Sequence, residues 1–159
     1  HCSICKFTTP TKTVALPDGT TWVQRKDTNC NTALCIYLIT CPCNKCYVGM
    51  TSRPIKIRIT EHRSTIRCGR SSTRLTNHFL ESRHGPDDLK WTILETVNTE
   101  STLFQKEQRW VFRLDTATSG LNDDIPWSSL HQRSMTIQAD NKVQNEHQKK
   151  YFGKKYLAR

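Results

Sequence analysis

Long apolar runs are missing from this chain. None approaches the ~18 residues that a membrane-spanning helix needs, so no membrane partner is expected. Hydrophobic residues make up only 35% of the 159. Any core must therefore be small, enough for one domain with a minor appendage. An initiator Met and a signal-peptide pattern are also missing. The chain reads as a piece of a longer protein, whose targeting signals would lie elsewhere. Acids are scarce locally: residues 45–74 hold eight Lys or Arg against one acid, Glu61, and residues 126–159 hold seven against two. Residues 75–125 reverse the balance, with five against nine. A focused basic stretch beside an acidic one suits a polyanion-binding surface with an acidic centre. The bland alternative is a solvated basic face.

Cysteine, by contrast, is plentiful, with eight residues. They fall in tight pairs: Cys2 and Cys5 as C-x-x-C, Cys41 and Cys43 as C-x-C, Cys43 and Cys46 as C-x-x-C. Such spacing with histidines downstream is metal geometry more than disulfide geometry, and it favours a reducing compartment. His78 and His84 form H-x5-H. With Cys41 and Cys43 they would make a Cys2His2 zinc site, tying a hairpin loop to the end of a helix. Cys46 competes for a place in that set. Cys2, Cys5 and Cys30 suggest a second zinc site, with His1 or a residue lost upstream as fourth ligand.

The periodicity predicts strands over 34–40 ("LCIYLIT") and at 47–49 ("YVG"), joined as a hairpin by "CPCNKC". Ser52 offers a cap to an amphipathic helix over 53–67, with Ile55, Ile59 and Ile66 on one face. Further helices are expected at about 73–83 and 100–115, with a third strand over 89–95 between them. Residues 1–31 have a turn, "PDGT", and little to build a core alone. No internal repeat is visible. The order gives a small α/β layer with a mainly antiparallel three-stranded sheet flanked by helices, preceded by a zinc-stabilised cysteine-rich N-terminal arm. The expected division is 1–33 arm, 34–125 core and 126–159 basic tail.

Several polar residues sit where bland readings compete with functional ones. Arg58 and His62 are four apart and share a helix face. Glu107 lies on the stripe of Leu103, Trp110, Val111 and Leu114, a costly place for a carboxylate unless it is paired or metal-bound. A buried pair with Arg109 or Arg113 would explain it without function. Tyr37 and Tyr47, taken singly, are ordinary strand aromatics. Paired on neighbouring strands beside a basic helix, they suit orientation of a water or relay of a proton.

The sequence "IY…YVG", then "R…H", then a Glu three residues before a Trp, then "GLN" resembles the GIY-YIG nuclease family across about 34–124. More narrowly, "YLITCPCNKCYVGMTSRPIKIRITEHRS" with "HF…H" is similar to the endonuclease domain of Penelope-like retroelements, and "CSIC…NCNT" to their cysteine-rich lead-in. The resemblance implies Tyr37 and Tyr47 as the motif tyrosines and Gly49 as the motif glycine. It implies Arg58, His62 and Glu107 as the catalytic arginine, histidine and metal-binding glutamate, and Asn122 as a late polar residue of the site. Cys35 stands where the family has its first motif glycine. The implied activity is a DNA endonuclease using Mg²⁺ or Mn²⁺ at Glu107, with Zn²⁺ as structural metal. The expected context is nuclear, with a covalently linked reverse transcriptase and its RNA. Arg53, Lys56, Arg63, Arg67, Arg70 and Arg74 are the expected DNA-binding residues. A zinc-stabilised nucleic-acid-binding module without catalysis, and a structure-specific repair nuclease, are the alternatives.

Overall fold

The computed structural model describes residues 2–8, 13–16, 19–23, 27–70 and 73–123. The expected basic tail over 126–159, and His1, lie outside them. The elements in chain order are β1 (Thr13–Ala15), β2 (Thr21–Val23), β3 (Cys35–Thr40), β4 (Cys46–Thr51), α1 (Ile55–Arg67), α2 (Arg74–Glu81), β5 (Lys90–Thr96) and α3 (Leu103–Arg113), with short 3-10 turns at Cys5–Phe7 and Glu100–Thr102. No helix among the described residues is long and apolar enough to cross a membrane.

β3 is the centre of a three-stranded antiparallel sheet ordered β4-β3-β5. A central strand is covered on both faces, which is why "CIYLI" is apolar throughout rather than alternating. Cys35, Tyr37 and Ile39 face one layer of the core, with Ile55, Ile59 and Ile66 of α1 and Leu75 and Phe79 of α2. Ile36, Leu38, Val48 and Leu94 are buried as well, and α3 packs against β4 and β3. The hairpin between β3 and β4 is closed by Cys41 N–H donating to Lys45 at 3.1 Å and Asn44 N–H to Cys41 at 3.0 Å. Asn44 takes the left-handed conformation (φ 63°) that this turn demands and that asparagine tolerates.

Two expectations need correction. Ser52 does not cap α1: Pro54 precedes it, with no side-chain cap. The first amides are satisfied from far away in sequence. Ile55 N–H donates to Thr32 C=O at 2.8 Å, and Lys56 N–H to Cys30 C=O at 3.0 Å. The N-terminal arm is also more than an appendage. Ile4 and Phe7 are buried in the main core. Trp91 Nε1 donates to Ile4 C=O at 3.2 Å. The short β1–β2 hairpin offers Trp22, which meets Trp110 of α3 edge-on at 4.7 Å and donates to Leu94 C=O at 2.8 Å. Residues His1–Asp123 form one compact unit.

Candidate active site

Tyr37 lies mid-strand in β3, directly opposite Gly49 of β4. The phenol lies across that glycine. A Cβ there would collide with the Tyr37 ring and hydroxyl and sit 2.8 Å from a Tyr47 ring carbon. Gly49 is therefore a steric requirement of the tyrosine pair, whose rings are 6.3 Å apart. Cys35, at the first motif position, is fully buried, and burial pushes its thiol up to about 12.

α1 brings Arg58 and His62 to the tyrosines. Arg58 Nε donates to Tyr37 Oη at 3.2 Å, and Tyr37 Oη is 2.9 Å from His62 Nε2. The phenol has one proton, and the guanidinium can only donate. That leaves the phenol O–H to donate to His62 Nε2 when the imidazole is the Nδ1–H tautomer. Burial first, then the Arg58 charge, pulls the His62 pKa down to about 3, with Glu61 opposing. The imidazole is thus a neutral acceptor at physiological pH. Burial likewise raises the Tyr37 and Tyr47 phenols, with Arg58 working against the rise. Both are therefore neutral phenols at physiological pH.

Glu107 is half-buried on α3 and accepts from Gln108 Nε2 at 3.3 Å. Its charge helps to raise both phenols, so it stands within electrostatic reach of the tyrosine pair. Arg113 stacks over Trp22 and Trp110, 5.4 and 5.0 Å from the ring centroids, and Arg109 is exposed. A single half-buried carboxylate suits one Mg²⁺ or Mn²⁺ that keeps its waters and takes further oxygens from a phosphate.

Asn122 holds the backbone of β4. Its Oδ1 accepts from Val48 N–H at 2.8 Å and its Nδ2 donates to Val48 C=O at 2.7 Å. The amide mimics a strand partner at the edge of β4 in the sheet of the described residues. It braces the strand that carries Tyr47. The basic residues divide too. Arg53, Lys56, Arg67 and Arg70 are exposed, as a phosphate surface requires. Arg63 is buried: it stacks on Phe7 at 3.7 Å, donates to Pro86 C=O, and pairs with Asp87 at 2.6 Å. Arg74 donates to Ala117 and Asn122 carbonyls at 2.6 and 2.9 Å, tying α2 to the closing loop. Both are structural clamps.

The cysteines separate by geometry. Ligand atoms of Cys41, Cys43, His78 and His84 all lie within 4.8 Å of one another. His78 Nε2 is 3.2 Å from Cys41 Sγ and 3.0 Å from Cys43 Sγ, close to the edges of a tetrahedral zinc shell. Ser82 Oγ is 3.2 Å from His78 Nδ1, so it can hold that proton and leave Nε2 free to ligate. His84 Nε2 is buried with no hydrogen-bond partner, and a metal bound there would satisfy it. Burial opposes the Cys43 thiolate, but hydrogen bonds from Cys41 and the Lys45 backbone, with the charge of the neighbouring His84, hold its pKa at about 7. Two thiols and two imidazoles fit Zn²⁺. Cys46 is outside the group; its thiol contacts Asn44 C=O at 3.6 Å and is pushed up to about 11, chiefly by burial. Cys2, Cys5 and Cys30 form a second group within the same limit, and the candidate fourth ligand, His1, is outside the described residues.

Two residues escaped the sequence reading. Glu61 bridges Arg53 and Arg58, accepting from Arg53 Nη2 at 2.8 and 3.0 Å and from Arg58 Nη1 at 3.3 Å. Its signal was its isolation as the one acid in 45–74. Ser82 was marked by standing four residues after His78 on one helical face.

A model of the GIY-YIG catalytic domain matches residues 33–118. Among solved structures, the catalytic domain of homing endonuclease I-TevI is similar at 25% identity and TM-score 0.50, over 57% of this chain and 97% of that one. A point mutant of the catalytic domain of intron endonuclease I-TevI is similar at 26% identity and TM-score 0.48, over 55% and 89%. No curated protein is similar enough to count as a match. The matched residues span β3 to the end of α3, where the tyrosine pair, the α1 arginine and histidine, and the α3 glutamate converge, and on this footing the chain belongs to the GIY-YIG catalytic-domain family.

Proposed function

We propose that the protein is a divalent-metal-dependent DNA endonuclease that cuts one phosphodiester at a time. The observation that carries this is the line Arg58–Tyr37–His62, at 3.2 and 2.9 Å, with Glu107 acting on the same tyrosines. In a purely binding module, nothing requires a buried phenol to connect a cation to a neutral imidazole.

The proton path follows from the donors. Tyr37 is fully buried in the free protein, so the attacking water has to come in with the DNA phosphate to meet the second lone pair of its Oη. As that water is deprotonated, its proton passes to Tyr37 Oη while the phenol proton passes to His62 Nε2, leaving hydroxide to attack phosphorus and an imidazolium behind. Burial and the Arg58 charge both disfavour that imidazolium. A DNA phosphate seated against Arg58 offsets the second effect when the substrate is in place. Arg58 also faces the charge that builds on the phosphoryl oxygens, an effect typically worth a few kcal/mol. A Mg²⁺ or Mn²⁺ held by Glu107 would act there as a Lewis acid on the phosphate.

The finer reading is the endonuclease of a Penelope-like retroelement, nicking target DNA in the nucleus for a linked reverse transcriptase. The placement of both hairpin cysteines beside both downstream histidines supports it, because that pattern carried the resemblance. The division into arm, core and basic tail belongs to the same reading.

The direct test is supercoiled plasmid with zinc-loaded protein, with and without added Mg²⁺. Omitting Mg²⁺ is a cleaner control than EDTA, which would strip structural zinc as well. Mg²⁺-dependent open-circular product is expected. DNA binding without any nicking would favour the non-catalytic module instead.

A further inference from the structure

The geometry points to a phosphate clamp made of Arg53 and Arg58, in which the Glu61 carboxylate occupies the place of a DNA phosphate in the free protein. Arg53 precedes α1, Arg58 and Glu61 lie about one turn apart on it, and the Arg58 bond to Tyr37 sets the group beside the tyrosine pair. One carboxylate takes two guanidiniums: Arg53 Nη2 bonds both oxygens, at 2.8 and 3.0 Å, and Arg58 Nη1 bonds Oε2 at 3.3 Å. Two oxygens of one carboxylate present to these arginines what two non-bridging phosphate oxygens would present.

The arrangement is built to exchange. Arg53 and Glu61 side chains are 55% and 40% exposed, and that of Arg58 is 36% exposed. Ion pairs at such exposure are weak, so an incoming phosphate meets little resistance. The Arg58 Nε bond to Tyr37 does not involve Glu61. Arg58 can therefore hand its Nη1 to a phosphate while staying locked to the catalytic tyrosine. Glu61 also serves the empty site. Its charge offsets the mutual repulsion of two adjacent guanidiniums until a phosphate takes its place. Arg53 thus gains a defined role as second phosphate ligand, and Glu61 is a positioning residue that competes with substrate.

This inference rests on the reading that DNA phosphate comes to Arg58, and its test does not depend on cleavage. DNA binding is measured by fluorescence anisotropy with a labelled duplex across a salt series. The background is Glu107→Gln, carrying Glu61→Gln, Arg53→Ala or both. The same cycle is run in the wild-type background without added Mg²⁺, in case Glu107→Gln folds poorly. Glu61→Gln is expected to tighten binding about three- to tenfold by removing the competing anion. Arg53→Ala should weaken binding and flatten the salt slope by roughly 0.9. In the double variant most of the Glu61→Gln gain should vanish. A general charge effect would instead leave the two changes additive. Additive effects, or a Glu61→Gln protein that binds no tighter, would overturn the clamp. So would failure of the wild-type chain to bind DNA. A clamp that passes in a protein that never nicks plasmid would sink the nuclease reading alone.

Discussion

At the scale of single residues, the site depends on groups whose charge is set by burial. His62 shows this most clearly. Its folded pKa of about 3 lies well below the ordinary histidine value of about 6.5, because burial and Arg58 disfavour the imidazolium. The unfolded chain therefore binds a proton between those two values while the folded chain does not. Stability present above about pH 6.5 is lost as pH falls toward 3, at up to ~1.4 kcal/mol per pH unit. Melting temperatures from pH 7 to pH 4.5 should accordingly fall less steeply in His62→Asn than in wild type. Parallel curves would show that the imidazole is not buried as described. In the sequence Glu107 drew notice because it sits on an apolar stripe, whereas the tyrosines and Gly49 were singled out through the family resemblance. The hydrogen-bond roles were not legible. Nothing in the composition says that the Asn122 amide pairs with the Val48 backbone, or that Arg63 lies on Phe7, since both contacts join segments distant in sequence.

At the scale of elements, hydrophobic periodicity located β3, β4, β5 and the three helices to within three residues at each end, with β4 twice as long as expected. The small β1–β2 hairpin was missed, because its burial comes from a partner helix through Trp22 rather than from any pattern of its own. The α1 cap was misplaced for a similar reason. Backbone carbonyls of Thr32 and Cys30 do what a Ser side chain usually does. This gives the cysteine groups distinct mechanical tasks. With metal bound, the first would tie the β3–β4 turn to the end of α2 and so brace the strand pair that carries the tyrosines. The second would hold Cys30, whose carbonyl accepts from the start of α1, which carries Arg58 and His62. Cys43→Ser should lower bound zinc by one equivalent per chain and destabilise the fold by several kcal/mol, since structural zinc binding is folding free energy. Cys46→Ser should leave zinc content unchanged. Metal analysis that shows equal zinc in wild type and Cys43→Ser would contradict the assignment.

At the scale of the whole molecule, the basic surplus is real but not all of it faces a polyanion. Arg63→Ala should cost roughly 2 kcal/mol of stability through lost stacking and hydrogen bonds, with little change in DNA affinity. Arg67→Ala should do the reverse, weakening DNA binding with an unchanged melting temperature. If Arg63→Ala weakened binding while the melting temperature held, the division into clamps and phosphate ligands would fail.

The proposed chemistry turns on one residue, the half-buried Glu107, which α3 brings within electrostatic reach of both tyrosines. The most direct measurement is the Mg²⁺-dependent plasmid nicking rate of Glu107→Gln, taken with its melting temperature and DNA affinity. The amide keeps the shape and removes the charge. Nicking should fall by at least ~10²-fold, the scale of losing one main electrostatic contributor, with folding and binding retained. A folded Glu107→Gln protein that nicks at the wild-type rate would contradict the placement of the catalytic metal, and with it the site as described.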